Sequence, residues 1–302
     1  MRTIVFGGSG FLGSYVVDAL VDRGHDVVIF DRTPSPYRPD LPFVRGDILD
    51  RAEVAKAVDG CQVVYNLAGA ANVELSVSHP TEFLEVNIIG NANVLEAARQ
   101  SKVERFVYAS SAYALSNRGA FYGTSKRASE KVIELYQQHY GLDYTILRYG
   151  SVYGARADTS NRIYRLLHQA LTEGKLVFPG DGTEEREYIH AADAAGLSVD
   201  VLADWGRNET FILTGLERFS YRKLLFMIAE ILDGEIDVRL DGGEYKGHYT
   251  MTPYHFHPTL GKKLVRNPSI DFGQGLLDCI ETLHASLHQA EEVVVCHDDG
   301  DA

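Results

Sequence analysis

The sequence predicts an α/β fold in which a Rossmann-type, doubly wound parallel sheet is joined to a smaller, mixed α/β substrate lobe. Two observations predict it. A short apolar strand at residues 2–6 runs directly into a glycine-rich turn and then into a helix at residues 11–23. Strands and helices then alternate regularly up to about residue 150, which is the pattern of parallel βαβ units.

The remaining elements follow from local composition and spacing. Short segments rich in β-branched and aromatic residues predict strands at 26–31, 43–45, 63–65, 105–109 and 144–148. Apolar residues at helical spacing predict helices at 50–58, 82–99 and 122–140. Beyond about residue 155 the regular alternation stops, with helices near 160–173, 190–203 and 220–232 and short strands at 175–178 and 210–213.

This change of rhythm suggests two regions. We expect a dinucleotide-binding domain over residues 1–155, with a later return of the chain to it at about 190–215. Residues 156–302 are expected to form the substrate-binding lobe and the C-terminal tail. The segment 241–270, rich in Gly, Pro, His and Tyr, would suit a lobe that covers the carboxyl ends of the strands.

Charge and composition exclude several classes of partner. The 302-residue chain has a formal net charge of −13, and an acidic chain repels nucleic acid and anionic lipid surfaces. No apolar run approaches the roughly 20 residues needed to cross a bilayer, so no membrane partner is expected. The three cysteines have no metal-ligand spacing, so we expect free thiols, no metal and a cytoplasmic location.

The glycine-rich turn predicts a dinucleotide site. Gly7, Gly10 and Gly13 recur every three residues where the first strand meets the first helix, so a pyrophosphate can approach the helix N-terminus. Gly8 allows a second register, Gly8-x-Gly10-x-x-Gly13, and an ordinary glycine-rich turn is the alternative interpretation. The surrounding βαβ pattern favours dinucleotide binding.

Asp31 ends the second predicted strand and bears on which dinucleotide binds. A carboxylate there can accept hydrogen bonds from ribose hydroxyls and would repel a 2′-phosphate, which favours NAD over NADP. Arg32, next to it, argues the other way, because an arginine can accommodate that phosphate.

Tyr122 and Lys126 predict the catalytic chemistry. They are four residues apart at the start of a predicted helix, one turn apart on the same face. A phenol with a pKa of about 10 is a poor base at neutral pH, but a nearby ammonium group favours the phenolate. Ser110 and Ser111 end the preceding strand, at the edge where doubly wound sheets bind ligands. A surface Tyr–Lys pair beside a serine-rich turn is the alternative interpretation.

Over residues 2–235 the chain resembles the extended short-chain dehydrogenase/reductase family, in its nucleotide-sugar epimerase/dehydratase branch. The resemblance rests on the glycine turn, on the Tyr-x-x-x-Lys pair, and on the segments 46–48, 67–69, 147–154 and 186–190. It implies NAD as cofactor, a nucleotide sugar as substrate and a homodimer.

The resemblance also implies roles for individual residues. The catalytic group would be Ser111, Tyr122 and Lys126. Contacts to NAD would come from Gly7, Gly10, Phe11, Leu12, Gly13, Asp31, Arg32, Asp47, Ile48, Leu67, Ala68, Gly69, Asn87, Tyr122, Lys126, Tyr149 and Val152. The substrate would be held by Ser76, Ser111, Ser151, Arg162 and Arg186, with Arg186 at the diphosphate and Arg156 as a further phosphate candidate.

One departure from the family pattern narrows the expected reaction. Family dehydratases and decarboxylases commonly carry acidic residues one or two positions after the catalytic Ser or Thr, whereas this chain has Ala112 and Tyr113. We therefore expect an epimerase that acts at C4 of a nucleotide-linked sugar, with UDP as the expected nucleotide, through a transient 4-keto sugar. A 4-keto reductase or dehydrogenase using the same three residues is the alternative. A non-catalytic dinucleotide sensor would typically lack the Tyr–Lys pair.

Overall fold

The described part of the chain contains fifteen strands and ten α-helices. The computed structural model describes residues 1–116, 118–243, 250–251, 256–257, 259–260, 262–265 and 268–298, with the backbone alone for 256–257, 259–260 and 290–298. The strands are β1 (Arg2–Phe6), β2 (Asp26–Asp31), β3 (Phe43–Arg45), β4 (Val63–Asn66), β5 (Arg105–Ser111), β6 (Tyr144–Tyr149), β7 (Ser151–Tyr153), β8 (Lys175–Phe178), β9 (Glu185–His190), β10 (Glu209–Leu213), β11 (Arg218–Ser220), β12 (Asp237–Leu240), β13 (Phe256–His257), β14 (Thr259–Leu260) and β15 (Lys262–Leu264). The helices are α1 (Phe11–Asp22), α2 (Arg51–Val58), α3 (Val73–Ser78), α4 (Pro80–Leu84), α5 (Asn91–Gln100), α6 (Ala120–Tyr140), α7 (Arg162–Glu173), α8 (Ala191–Asp200), α9 (Tyr221–Ile231) and α10 (Phe272–Asp298).

Eight of the strands form one parallel sheet, in the order β3-β2-β1-β4-β5-β6-β10-β15. Every neighbouring pair in this sheet is parallel. The chain direction across the sheet reverses between β1 and β4, and doubly wound sheets bind ligands outside the strand ends at such a switch point. The residues that follow β1 and β4, Gly7 and Leu67, therefore border one crevice, and the predicted fold class is confirmed.

Two strands join this sheet from the C-terminal half of the chain. β10 pairs with β6 over its whole length, and β15 pairs with β10 as the eighth strand. The sequence predicts a strand at 210–213 within the expected return of the chain to the dinucleotide-binding domain at about 190–215. Its composition does not predict which strands of the sheet it pairs with. β15 lies in the Gly/Pro-rich segment, for which no strand is predicted.

A second group of elements packs beside the sheet around its own core. β7, β9 and β11 form a three-stranded sheet, and β8 pairs with β12. Helices α7, α9 and α10 pack against these strands through a cluster of buried apolar side chains that includes Leu166, Phe178, Leu224 and Leu276. Of the predicted C-terminal tail, residues 299–302 lie outside the described residues. The same holds for residues 244–249, 252–255, 258, 261 and 266–267 of the Gly/Pro-rich segment 241–270.

The predicted helix at 82–99 is interrupted. It consists of α4, a π-helical segment Glu85–Gly90 and then α5. The spacing of apolar residues does not distinguish these three segments from one continuous helix, because the wide π-helical turn changes that spacing very little. The π-helical segment carries Asn87, a predicted site residue. No helix in the described portion of the chain has the length and apolar character needed to cross a membrane.

Candidate active site

Two cavities open at the carboxyl ends of the central strands. The first, of about 250 Å³, is named here the glycine cavity. It is lined by Gly7, Gly10, Phe30, Asp31, Arg32, Gly46, Asp47, Ile48, Leu67, Ala68, Gly69, Ala70, Glu82 and Val86. Nine of the predicted cofactor contacts are in this set: Gly7, Gly10, Asp31, Arg32, Asp47, Ile48, Leu67, Ala68 and Gly69.

The turn that borders the glycine cavity has no room for side chains. Gly7 has a φ of +77°, and a Cβ atom there would lie 2.6 Å from the backbone nitrogen of Ala68. A Cβ on Gly13 would lie 2.0 Å from the carbonyl oxygen of Gly7. Helix α1 starts directly after Gly10, which supplies no side-chain cap, so the first amides of the helix face the turn. This bare helix N-terminus suits the pyrophosphate of a dinucleotide.

Asp31 is held at the end of β2 by backbone amides. Its Oδ2 accepts a hydrogen bond from the amide of Ser9 at 3.1 Å, and its Oδ1 accepts one from the amide of Arg32 at 2.7 Å. These bonds fix the carboxylate between the glycine turn and the cavity. Asp31 and Arg32 thus line the same space, as a ribose contact requires.

Asn87 connects the loop after β4 to helix α6. Its side chain accepts a hydrogen bond from the amide of Ala70 at 2.9 Å and donates to the carbonyl of Ala70 at 3.0 Å. It also donates to the hydroxyl of Ser125 on α6 at 2.9 Å. The buried amide group is thus committed to protein partners. Its place in the structure is to hold the rim formed by Gly69 and Ala70 rather than to line the glycine cavity.

The second cavity, of about 300 Å³, is named the tyrosine cavity. It is lined by Phe11, Leu12, Ala71, Asn72, Val73, Glu74, Ser111, Tyr113, Tyr122, Gly150, Ser151, Val152, Ser160, Asn161, Arg162, Ile163, Arg165, Arg186, Tyr188 and Tyr221. Eight predicted site residues lie in this set: Phe11, Leu12, Ser111, Tyr122, Ser151, Val152, Arg162 and Arg186. The structure therefore brings the predicted proton-transfer and phosphate-binding groups to one space.

Lys126 lies behind Tyr122 and is almost completely buried. Its Nζ donates a hydrogen bond to the carbonyl oxygen of Ala109 at 2.9 Å and lies 6.0 Å from the centre of the Tyr122 ring. The same atom is 5.0 Å from the centre of the Tyr108 ring. Burial lowers the pKa of Lys126 to about 8, against the opposing effect of the Glu130 carboxylate. The lysine side chain is therefore held in place by its hydrogen bond, and its pKa lies close to neutral pH.

Tyr113 lines the cavity beside Tyr122, with the two rings edge to face and their centres 6.1 Å apart. Its amide donates a hydrogen bond to the hydroxyl of Ser111 at 3.2 Å. Gly119, with a φ of +101°, lies under the Tyr113 ring, where a Cβ atom would be 2.6 Å from Cδ1. Tyr113 thus places an aromatic ring at one of the two positions where the family pattern of dehydratases has an acidic residue.

Three arginines also line the tyrosine cavity. The guanidinium of Arg162, at the start of α7, lies 5.3 Å from the centre of the Phe178 ring. Arg186, buried in β9, lies 5.4 Å from the centre of the Tyr221 ring, and its Nη1 donates to the carbonyl of Glu185 at 2.8 Å. Arg165 follows one turn after Arg162. Guanidinium groups form bidentate hydrogen bonds to phosphate oxygens. The three arginines therefore make the tyrosine cavity suited to a phosphate group although the chain as a whole is acidic.

Several lining residues were not predicted. Asn161 caps α7 by accepting hydrogen bonds from the amides of Ile163 and Tyr164. An Asn before a predicted helix is a recognisable start signal, but it does not indicate a cavity. Tyr188 lies in the recognised segment 186–190 but was assigned no contact. Arg165 and Tyr221 belong to no recognisable local motif, and only the packing of the lobe brings them together.

Ser76 and Tyr149, both predicted to contact ligands, do not line either cavity. Ser76 is fully buried, and its hydroxyl donates to the carbonyl of Val73 at 2.6 Å. The Tyr149 hydroxyl forms a buried hydrogen bond of 2.6 Å with that of Ser198 on α8. Both polar groups are satisfied within the protein, which the sequence motifs alone do not reveal.

Arg156 is likewise committed to the protein. It forms an ion pair with Asp18 at 2.7 Å, and its guanidinium lies 4.4 Å and 4.5 Å from the ring centres of Tyr15 and Tyr37. This arrangement clamps the proline-rich loop after β2 onto α1. The arginine does not line the tyrosine cavity, so the structure gives no support to a phosphate contact.

Comparison with known proteins identifies relatives with the same architecture. The profile of the NAD dependent epimerase/dehydratase family matches residues 3–212. A UDP-glucose 4-epimerase of Mycolicibacterium smegmatis is 31% identical over 258 residues, which cover 76% of this chain and 82% of that protein. A UDP-N-acetyl-alpha-D-glucosaminuronate decarboxylase of Bacillus cytotoxicus is 29% identical over 225 residues, covering 66% of this chain and 70% of the relative.

Among solved structures, the UDP-glucose 4-epimerase of Thermus thermophilus in complex with NAD has a TM-score of 0.78. It is 27% identical, and the match covers 94% of this chain and 99% of that chain. The family match includes the glycine turn, Tyr122, Lys126 and Arg186. The expected family and cofactor are confirmed: the chain belongs to the NAD dependent epimerase/dehydratase family, and it is an enzyme whose cofactor is NAD.

Proposed function

We propose that this enzyme inverts the configuration at C4 of a UDP-linked sugar, with Ser111, Tyr122 and Lys126 as its catalytic group. The observation that carries the proposal is that Ser111 and Tyr122 line the same cavity as Arg162 and Arg186. Groups suited to a sugar hydroxyl and groups suited to a diphosphate therefore face one ligand. UDP is the nucleotide named in the relatives of M. smegmatis and B. cytotoxicus.

The residues of the glycine cavity fit NAD. The turn at Gly7, Gly10 and Gly13, where a Cβ on Gly7 or Gly13 would clash with backbone, would hold the pyrophosphate, and Asp31 would contact the adenosine ribose. Bound NAD would supply a reversible acceptor for the hydride at C4 of the sugar.

The proton chemistry belongs to the chain itself. The Tyr122 phenolate removes the proton from the sugar 4-hydroxyl, and the Ser111 hydroxyl forms a hydrogen bond to the same oxygen. Lys126, anchored on the Ala109 carbonyl, favours the phenolate electrostatically. Lowering a phenol pKa by about 3 units takes about 4 kcal/mol of preferential interaction with the phenolate. Tyr122 returns the same proton when the 4-hydroxyl forms again.

The residues after Ser111 favour epimerisation over elimination. Loss of water requires a group that protonates the departing hydroxyl, and Ala112 and Tyr113 carry no carboxylic acid. Among the described lining residues, the one carboxylate of the tyrosine cavity is Glu74, an exposed residue of α3. The 4-keto sugar is therefore expected to be reduced again.

A panel of UDP-, dTDP- and GDP-linked sugars followed by NMR in deuterated water tests the proposal. The expected result is a UDP sugar inverted at C4, with no deuterium at C4 and no net change in NAD. A 4-keto-6-deoxy product, or carbon dioxide released from a uronic acid, would contradict it and direct attention to Glu74. Net consumption of NADH would instead favour a 4-keto reductase.

We further propose that the enzyme is a homodimer. Phe121 and Leu135 on α6 and Ile89 on the neighbouring π-helical segment are large apolar side chains that are more than one third exposed. An apolar surface of this kind is stabilised by covering it. Light scattering coupled to size-exclusion chromatography tests this, and a monomeric mass at micromolar concentration would contradict it.

A further inference from the structure

A buried ion pair lies directly beneath the proposed catalytic group. Arg148 on β6 donates two parallel hydrogen bonds to Glu130 on α6, at 2.9 Å from Nε and 2.8 Å from Nη2. The side chains are only 4% and 7% exposed, respectively. The hydroxyl of Ser110 donates a third, short hydrogen bond to the same carboxylate. Neither Glu130 nor Arg148 lines the glycine or the tyrosine cavity.

Each member of this group is next to a residue of the proposed reaction. Glu130 follows Lys126 by one helical turn on α6. Ser110 immediately precedes Ser111 in β5, and Arg148 is the residue opposite Ser110 in β6. The ion pair therefore joins the helix that carries Tyr122 and Lys126 to the strand that ends in Ser111.

The burial of this pair calls for an explanation other than stability. Taking two charges out of water costs so much that apolar replacements of similar volume are often neutral or stabilising. Within the described residues, Nη1 of Arg148 is also buried without a hydrogen-bond partner, which adds to the cost. The position of the pair next to Lys126 suggests that its role is to act on that lysine.

Among the described residues, four ionisable groups bear on Lys126. Its own helix presents Tyr122 and Glu130, β5 presents the ring of Tyr108 at 5.0 Å, and β6 presents Arg148 through its bonds to Glu130. The Glu130 carboxylate raises the pKa of Lys126 and so opposes the effect of burial. Arg148 is bonded to that carboxylate and therefore offsets part of its negative charge. The balance between Glu130 and Arg148 therefore acts on the charge of Lys126.

We propose that Glu130 and Arg148 are positioning residues of this enzyme: the pair holds α6 against β5 and β6 and keeps Lys126 in its cationic form at neutral pH. The inference rests on the proposed function, because it takes Lys126 and Tyr122 as the groups that act on the sugar. It adds two residues that touch neither sugar nor cofactor.

Removing one charge at a time tests the electrostatic part of the proposal. Glu130→Gln leaves the positive charge of Arg148 uncompensated, so Lys126 loses its proton more easily. The alkaline limb of the pH profile of kcat should therefore move down by about one pH unit. Arg148→Met leaves the carboxylate uncompensated, so the same limb moves up. Loss of the ion pair also loosens α6, and a displacement of about 1 Å in its catalytic side chains can lower the rate by about 100-fold. We therefore expect kcat to fall in both variants while KM changes little. A purely structural role would not move the two limbs in opposite directions.

Two further variants serve as controls. The double variant Glu130→Gln/Arg148→Met removes the carboxylate together with the charge that offsets it, so its limb is expected between those of Glu130→Gln and the wild type. Glu134→Gln alters a carboxylate one turn further along α6 that pairs with Lys131 at 3.0 Å, and it should leave the limb and kcat unchanged. If a single-charge variant fails to fold, Ser110→Ala keeps both charges and removes only the bond to Glu130. It is then expected to lower kcat several-fold without moving the limb.

The closing experiment does not depend on turnover. NMR of ¹³C-lysine-labelled enzyme with NAD bound follows the titration of Lys126, whose signal is assigned by its loss in Lys126→Met. Its midpoint is expected to fall in Glu130→Gln and to rise in Arg148→Met. If these shifts occur while no sugar is epimerised, the inference stands and the proposed function falls. If epimerisation occurs but the midpoint does not move, or moves in the same direction in both variants, the inference is wrong.

Discussion

The two cavities of this enzyme are built in different ways. The glycine cavity is lined by residues between positions 7 and 86, and the turn that borders it has no space for a Cβ atom at Gly7 or Gly13. The tyrosine cavity is formed by side chains drawn from positions 11 to 221. The first is therefore a property of the N-terminal part of the sheet, whereas the second exists only after the lobe has packed onto the sheet. Substitutions should accordingly separate cofactor binding from substrate chemistry.

Tyr122→Phe should separate the two cavities most strongly. The ring still fills its place, but the hydroxyl that moves the proton is gone, so kcat should fall by about 10²–10⁴-fold. NAD affinity, measured by calorimetry, should stay within a few-fold of the wild type. Tyr140→Phe, at the exposed end of the same helix, is the matched control. Activity within a few-fold of the wild type would remove Tyr122 from the mechanism.

Arg186→Leu tests the substrate side alone. A charge-assisted hydrogen bond to phosphate contributes about 1.5–3 kcal/mol, so KM for the sugar nucleotide should rise by about 10- to 150-fold. Arg222→Leu is the control, because that side chain lies outside the cavity and donates to the carbonyl of Asp181 at 3.0 Å. Arg186→Lys keeps a charge in case the leucine variant folds poorly. An unchanged KM would make Arg186 a structural residue of β9.

Substitution of Asp31 tests cofactor binding alone. The amide-anchored carboxylate should make NAD bind about tenfold or more tightly than NADP, a difference of about 1.4 kcal/mol. Asp31→Ser should narrow this preference without changing KM for the sugar nucleotide, as measured by titrating each dinucleotide. A tenfold preference of the wild type for NADP would show that Arg32 dominates.

The smallest expected effect concerns the stability of the NAD-free enzyme. Burial lowers the pKa of Lys126 from 10.5 to about 8, so the charged form of Lys126 destabilises the folded protein. This destabilisation is fully present below about pH 8 and is relieved as the pH rises towards 10.5. Lys126→Met removes it, so the Tm difference between variant and wild type should be greatest near pH 7 and shrink by a few degrees by pH 10. A difference independent of pH would contradict this.

The contrast between the cavities also explains what the sequence could predict. The first sheet strands, the glycine turn and Asp31 follow from local spacing, and Tyr122 and Lys126 follow from their separation by one helical turn. The end of the predicted strand indicated the pair Ser110–Ser111 at the ligand-binding edge of the sheet, and the family resemblance selected Ser111. All of these signals lie within a few residues of the feature that they predict.

The rest depends on long-range packing. Arg165 and Tyr221 line the tyrosine cavity although nothing in their neighbourhoods marks them. Conversely, Ser76 and Tyr149 lie in recognisable motifs, yet their hydroxyls bond within the protein. Whether a polar side chain faces a ligand or a buried carbonyl is decided by tertiary contacts, which spacing along the chain does not encode.

The place of β15 has a consequence for synthesis of the protein. This strand, Lys262–Leu264, covers the outer edge of β10, and Lys263 donates to the buried carboxylate of Glu187 at 2.9 Å. On the ribosome, the β10 edge stays unpaired until residue 264 has emerged, long after the other seven strands are complete. An unpaired strand edge is a template for pairing with other chains. Nascent or truncated chains that end before residue 262 are therefore the species most exposed to aggregation and most dependent on chaperones.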